Sequence, residues 1–339
     1  RLAGAAPAFM LATAILCGAT PATNARADQR DAASQQNLDS RVEDLLIRLT
    51  TAEKIGQLNL VSRAEPIDNQ LARVRSGEIG LMLNVVHPHE VKAFQEAART
   101  SRLGIPLLMG LDAITVFRVA MPLPLALAAT WTPPLIEAAT EAVARETAAN
   151  GINWTFAPMV DLSRDPRWGR VSEGGGEDPY LASAIAAARV KGYRKAGLAT
   201  AVKHFVGYGA AEGGREYNAV ALPVSELFDR YLPPFRAALD AGSETVMAAF
   251  NTLNGIPISA DRRLLTTLLR ERLGFRGFVT SDYNAIGELI HHGVAGDLAE
   301  ATRKSLLAGI DVDLEGAAYE RHLEGEIAAG RVPMSVVDE

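Results

Sequence analysis

The sequence contains a single cysteine, Cys17, so an intramolecular disulfide and a multi-cysteine metal site are both excluded. Positive charge is also scarce, since 34 lysine and arginine residues stand against 40 acidic ones. The net charge of -6 argues against nucleic-acid binding through a basic surface. No apolar run beyond the N-terminal segment is long enough to cross a membrane. What is present, 48% hydrophobic and 22% charged residues in a chain of 339, is ordinary globular composition with enough length for a large core.

The N-terminal segment has the pattern of an export signal. An apolar run at residues 8–16 is too short to span a bilayer and leads to Ala25-Arg26-Ala27, an A-x-A cleavage pattern. We therefore predict a secretory signal peptide at residues 1–27, a periplasmic or secreted location, and no membrane attachment after cleavage. An uncleaved N-terminal anchor is the alternative, whereas lipid attachment at Cys17 is disfavoured because the bulky Leu16 precedes it.

The mature part alternates between short apolar runs and longer stretches of helical period. Eight runs predict strands: Ile79–Leu83, Pro106–Leu111, Leu125–Ala129, Trp154–Met159, Thr200–Phe205, Thr245–Phe250, Gly277–Thr280 and Ile310–Leu314. Helices are predicted at Pro134–Asn150, Tyr180–Lys195, Leu227–Ala241, Asp261–Leu273 and Asp297–Ala308, and Thr50 with Glu53 forms a capping box. This α/β alternation predicts a parallel sheet, and eight strands favour a closed (β/α)8 TIM-like barrel. The G-x-G-x-x-G turn of a dinucleotide-binding sheet is missing.

Polar residues follow nearly every predicted strand. They are Asn84, Asp112, Asp161, Lys203-His204, Asn251, Asp282 and Asp313. One such residue is usually a turn cap, but seven at the carboxyl ends of barrel strands predict a polar pocket suited to a polyhydroxylated ligand. The long loop after Asp161 contains Trp168 and several arginines, so we expect it to stack on a sugar face and donate to hydroxyls.

Six segments carry a resemblance to a known family. They are Asp165-Pro-Arg-Trp-Gly-Arg170, Ser172-Glu-Gly-Gly-Gly-Glu-Asp-Pro179, Lys203-His-Phe205, Glu212-Gly-Gly-Arg-Glu-Tyr-Asn218, Asn251-Thr-Leu-Asn-Gly255 and Val279-Thr-Ser-Asp-Tyr283. In this order and spacing the chain, from about Val42 to its end, resembles the N-terminal domain of glycoside hydrolase family 3, in the branch of periplasmic and secreted β-glucosidases. The resemblance implies a retaining β-glycosidase that forms a covalent glycosyl-enzyme and needs no cofactor.

The resemblance assigns the site residues one by one. Asp282 matches the family's nucleophile, and we expect Lys203 and Arg170 to keep its pKa low. The alternative for Asp282 is a cap of the next helix. The remaining matched residues are expected to bind sugar hydroxyls or to frame the pocket: Asp112, Arg170, Lys203, His204, Tyr217 and Tyr283.

Lys203 and His204 are adjacent in a predicted strand, where neighbouring side chains normally point to opposite faces. For both to enter one pocket the backbone must depart from regular strand geometry. We therefore predict a strained or non-proline cis peptide bond between them.

Two departures from the family pattern affect function. Thr115-Val116 stand where the family often has His-Gly, so we expect the loop at this edge of the pocket to differ from the family's. The loop after Lys203-His204 also lacks the Asp/His pair of amino-sugar-cleaving members. We therefore expect the general acid to lie in a following α/β sandwich domain that is missing from this chain, whose last barrel helix is incomplete, with Glu212 and Glu216 as fallback candidates.

The leading hypothesis is an exo-acting β-glucosidase acting on an oligosaccharide or β-glucoside. The alternatives are a β-xylosidase, a β-N-acetylhexosaminidase or a non-catalytic sugar-binding barrel. No metal site is expected, because His291-His292 lack carboxylates at zinc-ligand spacing.

Overall fold

The computed structural model describes residues 36–339, so the predicted signal peptide, its cleavage site and Cys17 lie outside the described residues. The chain divides into two compact units at Arg48. In the first unit, residues 36–48 form a helix, α1. The second unit, residues 49–339, contains the other elements of the described residues. Within residues 36–339, every helix is too short or too polar to span a bilayer.

The second unit alternates strands and helices. Its strands are β1 (Asn59–Ser62), β2 (Leu81–Leu83), β3 (Leu108–Leu111), β4 (Trp154–Thr155), β5 (Ala199–Phe205), β6 (Thr245–Ala248), β7 (Thr252–Leu253), β8 (Ile256–Pro257), β9 (Phe278–Thr280) and β10 (Asp313–Leu314). Its α-helices are α2 (Thr51–Gly56), α3 (Ile67–Arg75), α4 (Pro88–Arg99), α5 (Pro124–Ala128), α6 (Pro133–Ala149), α7 (Pro179–Lys195), α8 (Val224–Glu226), α9 (Leu232–Asp240), α10 (Ala285–His291), α11 (Leu298–Ala308), α12 (Glu324–Ala328) and α13 (Met334–Asp338). Three π-helical segments occupy Leu227–Tyr231, Arg263–Arg272 and Tyr319–Leu323.

Eight strands form one parallel sheet in the order β10-β1-β2-β3-β4-β5-β6-β9. The two outer strands of this order also meet, because Thr280 and Val312 form a parallel bridge and the Ser281 N–H donates to the Val312 carbonyl at 2.8 Å. The sheet therefore closes into a (β/α)8 barrel, which confirms the predicted fold. All strands point the same way, so their carboxyl ends share one rim.

Large side chains fill the barrel interior. Trp154 and Phe156 are buried and meet edge to face with ring centroids 4.4 Å apart. The Trp154 indole donates to the Thr245 hydroxyl at 2.9 Å, which satisfies its N–H inside the core. Gly110 is required here because a Cβ at that position would lie 2.9 Å from the Phe156 ring and 3.1 Å from Trp154. The rim residues are thus anchored on a tightly packed base.

Local signals set most helix boundaries correctly. The predicted capping box at Thr50 and Glu53 is present and starts α2. The Asp178 carboxylate accepts from the Leu181 N–H, and Pro179 occupies the first position of α7. The five predicted helices are all found, with boundaries within two residues. In the helix predicted at Leu227–Ala241 the first five residues are π-helical, and the helix predicted at Asp261–Leu273 is π-helical from Arg263 to Arg272.

The predicted number of eight barrel strands was right, but one predicted strand is a helix and one real strand was not predicted. Leu125–Ala129, predicted as a strand, is almost entirely α5, because Pro124 begins a helix and the alternating Leu and Ala residues are strong helix formers. The true first strand, β1, escaped prediction because it is four residues long and directly follows α2. Short apolar runs do not distinguish a strand from a helix by periodicity.

Candidate functional site

A cavity of about 440 Å³ opens at the carboxyl ends of the barrel strands, and we call it the barrel-mouth cavity. Its lining includes Asn84, Asp112, Arg170, Lys203, His204 and Asp282, so most of the predicted polar rim meets here. Carboxylates, cations and an amide converge on a volume typical of small-molecule sites. The prediction of a polar pocket at this rim is confirmed.

Asp282 follows β9 and is positioned by its backbone. The flanking Ser281 and Asn284 N–H groups donate to Val312 and Leu314, which locks this turn onto the neighbouring β10 segment. One carboxylate oxygen, Oδ1, accepts from the Tyr283 N–H at 2.7 Å. The other, Oδ2, is buried, lies 3.6 Å from His204 Nε2 and has no hydrogen-bond partner among the described residues, and Asp282 lines the cavity. An oxygen held this way is available to react.

The alternative that Asp282 caps the next helix is wrong. The N-cap of α10 is Asn284, two residues later, and it has left-handed backbone angles with no side-chain capping bond. Among residues 36–339, the Asp282 carboxylate accepts a hydrogen bond only from the adjacent Tyr283 N–H. Helix capping therefore does not explain this carboxylate.

The expected low pKa of Asp282 is wrong in direction. Burial raises the pKa of Asp282 to about 6, and the charges of Lys203 and Arg170 and the Tyr283 N–H offset this only in part. Lys203 is engaged by Asp112 and Arg170 by Glu173, so neither cation acts on Asp282 alone. Desolvation thus outweighs charge attraction at this position.

This raised pKa predicts a stability effect. An unfolded Asp has a pKa near 3.8, and the folded Asp282 holds its proton up to about 6, so stability from this group is present below 3.8 and lost as pH rises through 6. Asp282→Asn should therefore increase the free energy of unfolding at pH 7.5 by about 2–3 kcal/mol and raise Tm. The gain should disappear below pH 4.

Thermal melts of the variant at pH 7.5 and pH 4 measure this effect. Asp240→Asn is the matched control, because the Asp240 side chain is 73% exposed and its charge is solvated. A stability change of equal size at both pH values would contradict the role of the buried charge.

Lys203 and His204 both reach the barrel-mouth cavity from β5. The peptide bond between them is cis, as is the bond between Phe205 and Val206, so the predicted non-proline cis peptide is confirmed. The Lys203 ammonium donates to Asp112 Oδ1 at 2.5 Å. Both side chains therefore face the same pocket, one carrying a cation and the other an imidazole.

His204 is held by Asp161, a carboxylate with a side chain only 1% exposed. Asp161 Oδ2 accepts from the His204 backbone N–H at 2.9 Å and lies 2.8 Å from its Nδ1. Burial, reinforced by the charges of Arg170 and Lys203, lowers the pKa of His204 well below its usual range, so the ring is neutral. Since Oδ2 already accepts the backbone N–H, we assign the ring proton to Nδ1.

That assignment leaves the lone pair of His204 Nε2 facing the cavity, 3.6 Å from Asp282 Oδ2. His204 Nε2 and Asp282 Oδ2 are therefore neighbouring hydrogen-bond acceptors. A hydroxyl group placed between them can donate to either atom. Burial also raises the pKa of Asp161 to about 7, against the effect of the His204 N–H. The sequence marked Asp161 as a strand end but gave no signal of its link to His204, which depends on the fold.

Arg170 lies on the loop after β4 and is clamped by Glu173. Its Nε and Nη2 donate to the two Glu173 oxygens at 2.8 and 2.9 Å, an i,i+3 pair inside a short 3₁₀ turn. Glu173 also lines the cavity and was not predicted as a site residue, although its three-residue spacing from Arg170 was a usable signal. Glu216 lies 3.9 Å from the Arg170 Nε, on the loop after β5.

The predicted aromatic residues differ in position. Tyr283 lines the cavity and is half exposed. Tyr217 is also half exposed, but it packs against Phe250 with ring centroids 4.7 Å apart and does not line the cavity. Trp168, expected to stack on a sugar, is buried against Tyr208, so that expectation is wrong.

Two of the polar strand ends serve the fold instead of the cavity. Asp313 is buried and accepts the N–H groups of Gly316, Ala318 and Tyr319, which organises the turn after β10. Asn251 is fully buried and its amide donates to the Thr252 carbonyl. Asp161 does not line the cavity either and acts through its contacts with His204. Of the seven predicted strand ends, four therefore line the pocket: Asn84, Asp112, Lys203-His204 and Asp282.

No group of three or more histidine, cysteine, aspartate or glutamate side chains in residues 36–339 is arranged to hold a metal ion. His291 is exposed at the last position of α10, with His292 as its C-cap.

Comparison with known proteins gives the family. Residues 50–339 match the glycosyl hydrolase family 3 N terminal domain. The chain is 42% identical over 310 residues to a periplasmic β-glucosidase of Salmonella typhimurium, and the match covers 89% of this chain and 40% of that protein. It is 38% identical over 243 residues to a β-xylosidase of Formosa agariphila, covering 65% of this chain and 33% of the relative.

Solved structures give the same result. The fold superposes with a TM-score of 0.84 on a mutant β-glucosidase from Listeria innocua in complex with laminaribiose, at 35% identity, covering 88% of this chain and 45% of that one. This chain spans less than half the length of these relatives. With the family domain matched along nearly all of the second unit, the chain belongs to glycoside hydrolase family 3.

Proposed function

We propose that the protein is a retaining exo-β-glucosidase that removes terminal non-reducing β-D-glucosyl residues, with Asp282 as the nucleophile. The observation that carries this proposal is the state of the Asp282 carboxylate. Its Oδ1 is fixed by the Tyr283 N–H, while Oδ2 is buried, lies 3.6 Å from His204 Nε2 and has no hydrogen-bond partner in the described part of the chain; Asp282 itself lines the polar cavity. The β-glucosidases of Salmonella typhimurium and Listeria innocua support the choice of sugar.

The polar groups of the cavity fix the sugar for attack. The Asp112 carboxylate accepts from hydroxyls remote from the scissile bond, and Lys203, bonded to it, donates to the same region. His204 Nε2 accepts from a hydroxyl close to Asp282 Oδ2. Arg170 supplies positive charge held in place by Glu173. Holding the anomeric carbon at this oxygen supplies the positional part of catalysis.

The reaction proceeds by two displacements. Asp282 Oδ2 bonds to the anomeric carbon as the bond to the leaving oxygen breaks, and a general acid protonates that oxygen. Water then attacks the same carbon, loses a proton to the same group acting as base, and the ester bond to Asp282 breaks. The product sugar keeps its β configuration because it is inverted twice.

The general acid is not one of the other carboxylates in the cavity. Asp112 is engaged by Lys203, and both oxygens of Glu173 are engaged by Arg170. Glu212 is exposed and lines a different surface cleft, beside Arg164 and Arg167. We therefore propose that the acid is a carboxyl group outside residues 36–339, with Glu216, near Arg170, as the alternative within them.

A covalent trap tests the proposal. A 2-deoxy-2-fluoro β-glucoside with an activated leaving group should label the whole protein once, on the peptide that carries Asp282. The fluorine slows both displacements, and the activated leaving group restores the rate of the first only, so the glycosyl-enzyme accumulates. Peptide mass spectrometry reads the position. A 2-deoxy-2-fluoro xyloside tests the xyloside class. A 5-fluoro N-acetylglucosaminide tests the amino-sugar class, because C2 of that sugar already carries the acetamido group.

Each outcome separates the hypotheses. Faster labelling by the xyloside would make the protein a β-xylosidase, as one relative is named. Glucose binding without any labelling would indicate a non-catalytic sugar-binding barrel. Labelling at a carboxylate other than Asp282 would overturn the mechanism.

We further propose a periplasmic or secreted location. The predicted signal at residues 1–27 and the periplasmic relative both support it. Cell fractionation of the producing organism tests this.

A further inference from the structure

We propose that the site extends past Asp112 into a second sugar-binding pocket, which holds a glycosyl unit attached to the non-reducing side of the sugar in the barrel-mouth cavity. This inference rests on the proposed function. It predicts that the protein also cleaves β-glycosides whose outer sugar is substituted, and releases the substituted unit intact.

A groove of about 340 Å³, here called the side groove, lies next to the barrel-mouth cavity. Its lining includes Val86, His87, Asp112, Val116, Phe117 and Arg118. Asp112 lines both spaces, and its side chain is 50% exposed although Oδ1 binds Lys203. The Asp112 carboxyl group therefore borders both spaces. A substituent on the hydroxyl bound by Asp112 then extends toward the side groove.

The side groove has the mixed chemistry of a sugar subsite. Phe117 and the exposed Val86 and Val116 offer an apolar surface to the C–H face of a pyranose. His87 adds a hydrogen-bonding group to the lining. The Arg118 guanidinium lies 5.5 Å from the centre of the Phe117 ring and donates to Asn150 at 2.9 Å, which helps to hold that ring in place. An apolar platform with a few polar groups is the usual composition of a pocket for a small polyhydroxylated ligand.

The outer wall of the side groove is a fixed hairpin at residues 115–121. Val116 pairs with Ala120, and the Met121 N–H donates to the Thr115 carbonyl at 3.0 Å. The hairpin is also bonded to α6, because the Arg118 and Val119 N–H groups donate to the Glu146 carboxylate at 3.0 and 3.2 Å. A wall held on two sides is formed before a ligand binds, which reduces the entropic cost of binding.

The same hairpin contains Thr115-Val116, the residues that replace the common family pair. The departure therefore falls on the wall of the side groove, and Val116, 44% exposed, supplies part of its apolar surface.

The experiment compares aryl β-glucoside with aryl β-disaccharides linked 1,3, 1,4 and 1,6, using the whole protein. A working side groove releases the aryl alcohol and the intact disaccharide together, which chromatography detects at early times. Phe117→Ala, and Val116→Trp, which fills the groove from an exposed position, should each lower kcat/KM for disaccharide release by roughly tenfold relative to the aryl glucoside. Tyr180→Ala, at a position 85% exposed, is the matched control.

The outcomes keep the two proposals apart. The extended site would be overturned if the protein hydrolyses the aryl glucoside but always removes glucose from the aryl disaccharides before it releases the aryl alcohol. The proposed function would still stand after that result. Direct disaccharide release that neither variant alters would also overturn it, since the sugar would then bind elsewhere. If no substrate is hydrolysed, the proposed function itself fails.

Discussion

Replacing Asp282 by alanine is expected to lower kcat by on the order of 10⁴-fold or more, because the covalent route loses its nucleophile while the binding groups remain. The KM for an aryl β-glucoside should change little, since Asp112, Lys203 and Arg170 are untouched. Steady-state kinetics of the whole protein measure both quantities. Asp240→Ala, on the exposed face of α9, is the matched control.

A small anion provides a second readout for the same variant. Azide can enter the space left by the carboxylate and attack an activated aryl glucoside directly, forming a carbon–nitrogen bond as the aryl oxide leaves. One displacement inverts the anomeric carbon, so the product is the α-glucosyl azide. Rescue of aryl release by azide with this configuration identifies position 282 as the site of attack. A β-configured azide, or an Asp282→Ala variant with full activity, would contradict the assignment.

The sequence was sufficient for the architecture because the alternation of runs is repeated eight times. The number of strands was still right because two errors cancelled: Leu125–Ala129 was wrongly predicted as a strand, and β1 was not predicted. The long helices were predicted accurately because their periodic patterns extend over several turns and begin at proline or a capping residue. The short strands were less certain, since two to four residues carry little periodicity.

The sequence predicted which residues meet at the candidate site, but it did not predict their protonation or their hydrogen bonds. Asp112, Lys203, His204 and Asp282 could be placed from strand ends alone because a barrel has one functional rim. The pKa of Asp282 could not, since it depends on the balance between burial and cations that are paired to other groups. Trp168 was misjudged for a related reason, because loop composition does not reveal which side chain turns inward.

Asp161 is expected to act as a positioning residue, and its hydrogen bonds make an unusual prediction. Both contacts with His204, to the backbone N–H and to Nδ1, are made by Oδ2, while Oδ1 has no hydrogen-bond partner in the described structure. The carbonyl oxygen of an asparagine reproduces Oδ2. Asp161→Asn should therefore retain kcat/KM within about tenfold, with a modest loss of Tm from one buried amide N–H₂ left unpaired.

Asp161→Leu removes both contacts. It should lower kcat/KM by about 100-fold, because two buried hydrogen bonds of about 1.5 kcal/mol each are lost. The freed imidazole can then place its proton on Nε2, 3.6 Å from Asp282 Oδ2, and donate to the nucleophile. That bond favours the ionised carboxylate, so the acid limb of the kcat/KM profile, expected near pH 6 in the unaltered protein, should move to lower pH. A purely structural role for Asp161 would reduce activity without moving this limb. Equal losses in the Asn and Leu variants would show that the charge of Asp161, and not the geometry it imposes on His204, is what the site requires.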